Sequence, residues 1–291
     1  MRIGARLMDQ GMNGTSVGHV NHSKVGYING IVKKKRCNRR IRRHRALPFP
    51  MALQDLFHAC QDVFKGPGTV PTPEDVQRLC HILDHMRPED VGLSQDLQFF
   101  KPKSKTKGTP RVTSTTIYQC DNFELCMFFL PSAGVIPLHN HPGMTVFSKL
   151  LLGSMHIKSY DWVEPQQVSN GSTMSSKLRL GQVKADGVFT APCNSSVLYP
   201  TTGGNIHAFT AITPCAILDV IGPPYSQEDG RDCLYYKDTP YTTNAALNGD
   251  TIQPKEDGER YGWLEEIDMP ANAQMDQIEY LGPQVIENRG R

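Results

Sequence analysis

From Thr113 onward the chain shows no helical periodicity for roughly 120 residues, which confines that stretch to β architecture. The runs "TSTTIYQ", "FELCMFFL", "TVFSKLLL", "SMHIKSYDWV", "SVLYP", "IHAFTAI", "CAILDVI" and "CLYYK" are short, β-branched and aromatic. Gly, Pro, Asn and Asp turns separate them, the texture of an antiparallel sandwich or barrel. No apolar run approaches the roughly 20 residues of a membrane-spanning helix, so no membrane partner is expected. With 291 residues, the chain has length for one large domain with extensions.

Upstream the period changes. "MALQDLFHACQDVFKGPG" sets Leu53, Leu56, Phe57, Cys60, Val63 and Phe64 at helical spacing and stops at Gly66-Pro67. In "PTPEDVQRLCHILDHMRPED", Thr72 is placed to cap, Pro73 to open the helix and Asp75 to complete a capping box. Val76, Leu79, Cys80, Leu83 and Met86 then form one apolar stripe. Residues 51–88 therefore predict a helical hairpin packed on the β body, with His58, His81 and His85 in surface or interhelix polar contacts. "KPKSKTKGTP" at 101–110 reads as a linker. "ERYGWLEEIDMPANAQ" offers Tyr261, Trp263, Leu264 and Ile267 as packing groups. Domain boundaries are set at 1–48, 49–270 and a C-terminal tail of 271–291, with the barrel starting near 113.

The net charge of +2 conceals an asymmetry. Residues 1–45 carry 12 Lys and Arg against Asp9 alone, while the remaining 246 residues hold 19 basic and 28 acidic groups. The first 48 residues are expected to be a disordered tail. Their run Lys33–Arg45 reads as a nuclear-localisation signal for an import receptor, or as a solvated charged tail. An acidic body argues against nucleic acid as a partner. "MRIGARL" has the acid-poor texture of a transit peptide but not the apolar core of a secretory signal. The eight cysteines, at 37, 60, 80, 120, 126, 193, 215 and 233, show no CxxC pair and read as reduced intracellular thiols. Nucleus and cytoplasm are the expected locations.

"PLHNHPGMTVFSK" contains the chemistry-bearing pattern. In a strand, His139 and His141 share one face, and Pro142-Gly143 end the strand, which puts both imidazoles at a barrel rim. Alone, the pair reads equally as two half-exposed surface histidines or as two ligands of one cation. "YPTTGGNIHAF" adds His207 after a double-glycine turn, where a neighbouring strand can bring it opposite the pair. His156 lies in an ordinary alternating strand and reads as a packing or hydrogen-bonding residue.

The string from Gly134 to Gly153, "GVIPLHNHPGMTVFSKLLLG", resembles the first cupin motif, and "GGNIH" resembles the core of the second. The usual cupin glutamate, five residues after the second histidine, is replaced by Val146. "IPLHNHPGMTVFSKLLLGSMHIKSYDWVEP", "GGNIHAFTAITPCAILDVIGPPYS" and "GRDCLYY" are similar to the plant cysteine oxidase family, relatives of cysteamine (2-aminoethanethiol) dioxygenase, over about residues 51–270. That resemblance implies a mainly β cupin double-stranded β-helix, a jelly-roll barrel, with His139, His141 and His207 holding Fe(2+). It implies a cysteine dioxygenase-type oxidoreductase that uses O2 to convert an N-terminal cysteine of protein substrates to the sulfinic acid. Implied substrates are transcription factors of the group VII ethylene-response type, marked for the arginine N-degron pathway as an oxygen-sensing step. Three neutral ligands in place of three histidines and a glutamate leave positions open for a thiolate, an amine and dioxygen.

The resemblance also suggests residues around that centre. Asp219 in "AILDV" is a carboxylate in an apolar strand, costly without a partner, and it maps near the iron. Tyr225 of "GPPYS" and Cys233 of "GRDCLYY" map near the pocket entrance, where Tyr225 is placed to hydrogen-bond substrate or oxygen. Structural readings stand beside these: a turn-facing aspartate, a packing tyrosine and an inert buried thiol. Between Thr113 and Pro240 the only arginines are Arg179 and Arg231, whereas an enzyme acting on free cysteine needs a bidentate clamp for its carboxylate, which a peptide-bonded substrate does not. This favours a peptide N-terminus over free cysteine or a small aminothiol, the rival substrates. A three-histidine zinc hydrolase and a non-catalytic nuclear cupin are the rival functions.

Overall fold

The computed structural model describes residues 51–94, 96, 97, 99, 110–163, 178–241 and 260–287. The basic tail with its import run, and the linker at 101–109, lie outside these residues.

The helical hairpin forms as its spacing requires. Helix α1 (Met51–Val63) buries Leu53, Leu56, Phe57, Cys60 and Val63 along one face. In α2 (Pro73–His85) the Thr72 hydroxyl accepts from the Asp75 N–H at 3.2 Å, with Pro73 in the first turn. The helices present Leu56, Phe57, Leu79 and Leu83 to a shared core with Leu125, Met127, Phe129, Phe147, Leu218 and Val220. The hairpin is therefore a lid on the outer face of a sheet. Buried Lys149 fastens it, donating to the Cys193 carbonyl at 2.6 Å and the Asp84 carbonyl at 3.3 Å.

The strands are β1 (Thr113–Gln119), β2 (Glu124–Leu130), β3 (Val135–His139), β4 (Thr145–Leu152), β5 (Ser154–Trp162) and β6 (Leu178–Thr190). After them come β7 (Ser196–Leu198), β8 (Ile206–Ala211), β9 (Cys215–Gly222), β10 (Tyr235–Pro240), β11 (Tyr261–Ile267) and β12 (Asp276–Gln277). One sheet runs β12-β1-β2-β9-β4-β7, and the other runs β10-β11-β6-β5-β8-β3 and closes on itself. Together they make the expected mainly β jelly roll with an N-terminal helical hairpin.

Alternation sorts the side chains of the first sheet. On β2, Leu125, Met127 and Phe129 pass under the helices, whereas Glu124, Cys126 and Phe128 face a cavity inside the barrel. On β9, Leu218 and Val220 face the helices while Asp219 and Ile221 face the cavity. Phe128, Ile136 and Phe209 give it an apolar wall backed by Ile217. Past residue 270 the chain stays on the body: β12 adds parallel to the edge of β1, and buried Tyr280 joins the core beneath the helices.

Candidate metal centre

The histidines arrive from two strands and the turn between. His139 ends β3 and pairs across the ladder with His207, the second residue of β8. His141 follows in the turn before β4, where Gly143 takes a left-handed φ of 67°. Their ligand nitrogens all lie within 4.8 Å of one another, the one such cluster among the described residues, and all three residues are buried. Ring centroids are 4.8 to 4.9 Å apart in each pairing. His156 is elsewhere, with its Nε2 2.9 Å from Asp186, and His58 and His85 bond within α1 and α2.

Burial keeps the triad neutral. It pushes the affinity of His139 for a proton down, and that of His141 and His207 well down, the neighbouring imidazoles adding to the effect on the latter two. Hydrogen bonds aim the lone pairs. His139 Nδ1 lies 2.8 Å from the Pro137 carbonyl and must donate to it, which frees Nε2. The Tyr225 hydroxyl sits 2.8 Å from both the Asn140 carbonyl and His141 Nδ1. Donating to the carbonyl, it accepts from Nδ1–H and leaves His141 Nε2 bare. That Nε2 then faces His207 Nε2 at 3.2 Å. At that distance the Nε2–H tautomer of neutral His207 donates to His141 Nε2, and with the proton on His207 Nδ1 instead both Nε2 lone pairs are free for one metal cation. The donor set thus fits a divalent first-row cation such as iron(II) or zinc.

A buried network fixes these loops, and the sequence motifs did not reveal it. Asp161, on β5, accepts from the backbone N–H groups of Gly203 (3.0 Å), Gly204 (2.8 Å) and Asn205 (3.1 Å). Asn205 reaches the other loop: its Oδ1 accepts from the His141 N–H at 3.1 Å and its Nδ2 donates to the His141 carbonyl at 2.9 Å. Gly204 holds φ at 84°, and a Cβ there would sit 2.6 Å from Ser159 Oγ, so the turn requires glycine. An acid within the alternating run "SYDWV" was the available signal for Asp161, the same signal that marked Asp219.

A cavity of about 270 Å³ opens beside the triad. Asp219, Tyr225 and Cys233 all line it with the three histidines, so every site residue read from the sequence converges on one space. Asp219 is 4% exposed, and its Oδ1 has no hydrogen-bond partner. Burial pushes its carboxyl up to about 7, with the Glu124 charge adding and the Ser148 hydrogen bond opposing. Burial also raises Tyr225 well above the ordinary phenol range, with Cys233 contributing, and raises the Cys233 thiol, whose sulfur meets the Tyr225 and Tyr235 side chains. Among the described residues, no lysine or arginine lines the cavity. Glu124, Gln277 and Met275, absent from the sequence reading of the site, line it too.

Comparison with known proteins places this geometry among relatives. The family described as PCO_ADO matches residues 82–285. The chain is similar to Plant cysteine oxidase 1 of Arabidopsis thaliana, at 49% identity over 75% of this chain and 74% of the relative. Plant cysteine oxidase 2 of the same organism is 46% identical over 89% of this chain and 93% of its own. The 2-aminoethanethiol dioxygenase of Mus musculus is 30% identical over 74% and 86%, respectively.

Proposed function

Because the chain belongs to the PCO_ADO family, we propose that it is an iron(II)-dependent thiol dioxygenase acting on the N-terminal cysteine of protein substrates. The observation carrying this reading is the set of three buried, neutral imidazoles beside a buried carboxylate with one unpartnered oxygen, in a cavity that no lysine or arginine lines among the described residues. Iron(II) bound to His139, His141 and His207 would supply the redox chemistry that lets dioxygen react with a thiolate. In the balanced reaction the O–O bond breaks, two S–O bonds form, and sulfur gives up the four electrons that dioxygen takes. No external reductant enters.

The side chains bind, orient and exclude water. Tyr225 holds the His141 ring through Nδ1, and Pro137 holds His139, so both present Nε2 to one centre. Asp219 offers its free oxygen to the substrate ammonium and, with its carboxyl poised near neutrality, can accept the thiol proton. The apolar wall of Phe128, Ile136 and Phe209 keeps water from one side. A free cysteine would bring a carboxylate into a cavity lined, among the described residues, by two acids and no lysine or arginine; a peptide N-terminus would not. The same observation favours one second substrate class, a small aminothiol without a carboxyl group.

Group VII ethylene-response-type factors, oxygen sensing through the arginine N-degron pathway, and work in nucleus and cytoplasm with import through residues 33–45 complete the proposal. Iron-loaded protein incubated in air with a Cys-initiated peptide, 2-aminoethanethiol and free cysteine is the test, read by mass spectrometry. Two added oxygen atoms on the peptide support the reading. Loss of one ligand in His207→Ala should remove both bound iron and turnover; full turnover in that variant would refute the ligand set.

A further inference from the structure

The cavity that holds the three histidines also carries two acids, Asp219 and Glu124, on paired strands of the first sheet. Register places Cys126 opposite Asp219 and Glu124 opposite Ile221. Glu124 and Asp219 are therefore diagonal neighbours on one face, about 7–8 Å apart. Phe128 pairs with Ile217 on the first sheet, and Ile136 with Phe209 on the second. Asp219 lies two residues beyond Ile217 on β9, and the His139–His207 pair lies on the other sheet. Glu124 and Ile221 lie a further two residues out, a step of about 7 Å.

Glu124 lies beside an open edge of the cavity, next to exposed Thr116. It is half-buried, whereas Thr116 and Gln277 on the same wall are exposed. Thr116 Oγ1 donates to Glu124 Oε1 at 3.0 Å, which fixes the carboxylate while leaving its second oxygen for another donor. No ion pair holds Glu124 among the described residues. Below it, Asp219 is nine-tenths buried with an oxygen that meets no donor, an independent sign that the cavity is shaped for a cationic occupant.

We infer that Glu124 reads the charge of the residues following the substrate cysteine, and that the preferred peptides carry lysine or arginine at the second or third position. The inference rests on the function proposed above. With the cysteine ammonium at Asp219, an extended peptide advances about 3.3–3.6 Å per residue, so the next one or two residues come level with Glu124. A cation there gains a carboxylate already held by Thr116. An acidic side chain there meets Glu124 and Asp219 together.

The test is competitive oxidation by iron-loaded full-length protein of Cys-initiated peptides with Lys, Gln or Glu at the second or the third position. Each ratio of kcat/KM is internal to one protein, so a lower fraction of active variant cancels. Wild type should favour Lys over Glu by about tenfold at one position, the effect of one partly buried charge pair. Glu124→Gln should bring that ratio close to one, and Glu124→Lys should reverse it. On wild type alone, raising the salt concentration should shrink the ratio. An unchanged ratio in Glu124→Gln, or no charge preference in wild type that oxidises all the peptides, overturns the inference and leaves the dioxygenase reading intact. Wild type that oxidises none of them overturns both.

Discussion

Asp219 shows how one residue can sacrifice stability for chemistry. Its carboxyl is raised from 3.8 to about 7 by burial. Between those values the native state holds a proton that the unfolded chain has released, so native stability falls as pH rises from about 4 to 7. Above pH 7 the full penalty is present, on the order of 4 kcal/mol in metal-free protein. Asparagine keeps the shape and removes the charge. Asp219→Asn should therefore stabilise metal-free protein by about 2–4 kcal/mol at pH 8, and by much less at pH 4. Iron-loaded Asp219→Asn should lose at least about tenfold in thiol oxidation, as expected when a positioned acid–base group is removed. Denaturant titrations at the two pH values check the first part, and a variant less stable at pH 8 would mean that the carboxylate has a partner in solution.

At the scale of elements, the site is two loops tied together, and what ties them was the less visible part. The HxH turn and the GGNIH turn could be read directly, because a metal site on strands needs same-face spacing and glycine where the backbone bends. Asp161 lies over 40 residues before the loop it anchors, and its partners are backbone N–H groups, which leave no side-chain signature. Glu124, in "FELCMFFL", carried the same mark as Asp219, an acid on an apolar strand, and went unread beside the stronger motifs. Strand β6 escaped because most of it faces solvent on at least one side and lacks a clean apolar alternation. Asp161→Ala would strand three backbone donors, and each buried unmade bond costs about 1–3 kcal/mol. The variant should unfold at lower denaturant and bind iron about 10–100-fold more weakly, the range for lost outer-shell support. Isothermal titration with iron(II) under nitrogen reads the affinity; unchanged affinity would show that His207 keeps its place without this anchor.

For the whole molecule, the question is what builds the outer wall of the cavity. The hairpin of α1 and α2 covers the far face of the first sheet and never meets the centre. The near side is completed by the last described residues, where Ala273, Met275 and Gln277 line the cavity. Little in their sequence announces this, because β12 is two residues long and is held by backbone bonds: Asp276 N–H to the Val112 carbonyl at 2.9 Å and Ile278 N–H to the Ser114 carbonyl at 3.0 Å. The Arg111–Asp276 ion pair at 2.9 Å is half-exposed and adds little. What fastens the segment is Tyr280, 7% exposed in the core that the helices share with β2 and β9. Tyr280→Ala should cost about 3–5 kcal/mol, as for other buried aromatic truncations. Since the ring is remote from the histidines, protein that remains folded should keep its iron. A wall that has come loose weakens substrate binding without disturbing the reacting groups, so KM for a Cys-initiated peptide should rise while kcat changes little. Iron loss with unchanged KM would contradict this and assign the segment to the metal centre instead of to the substrate.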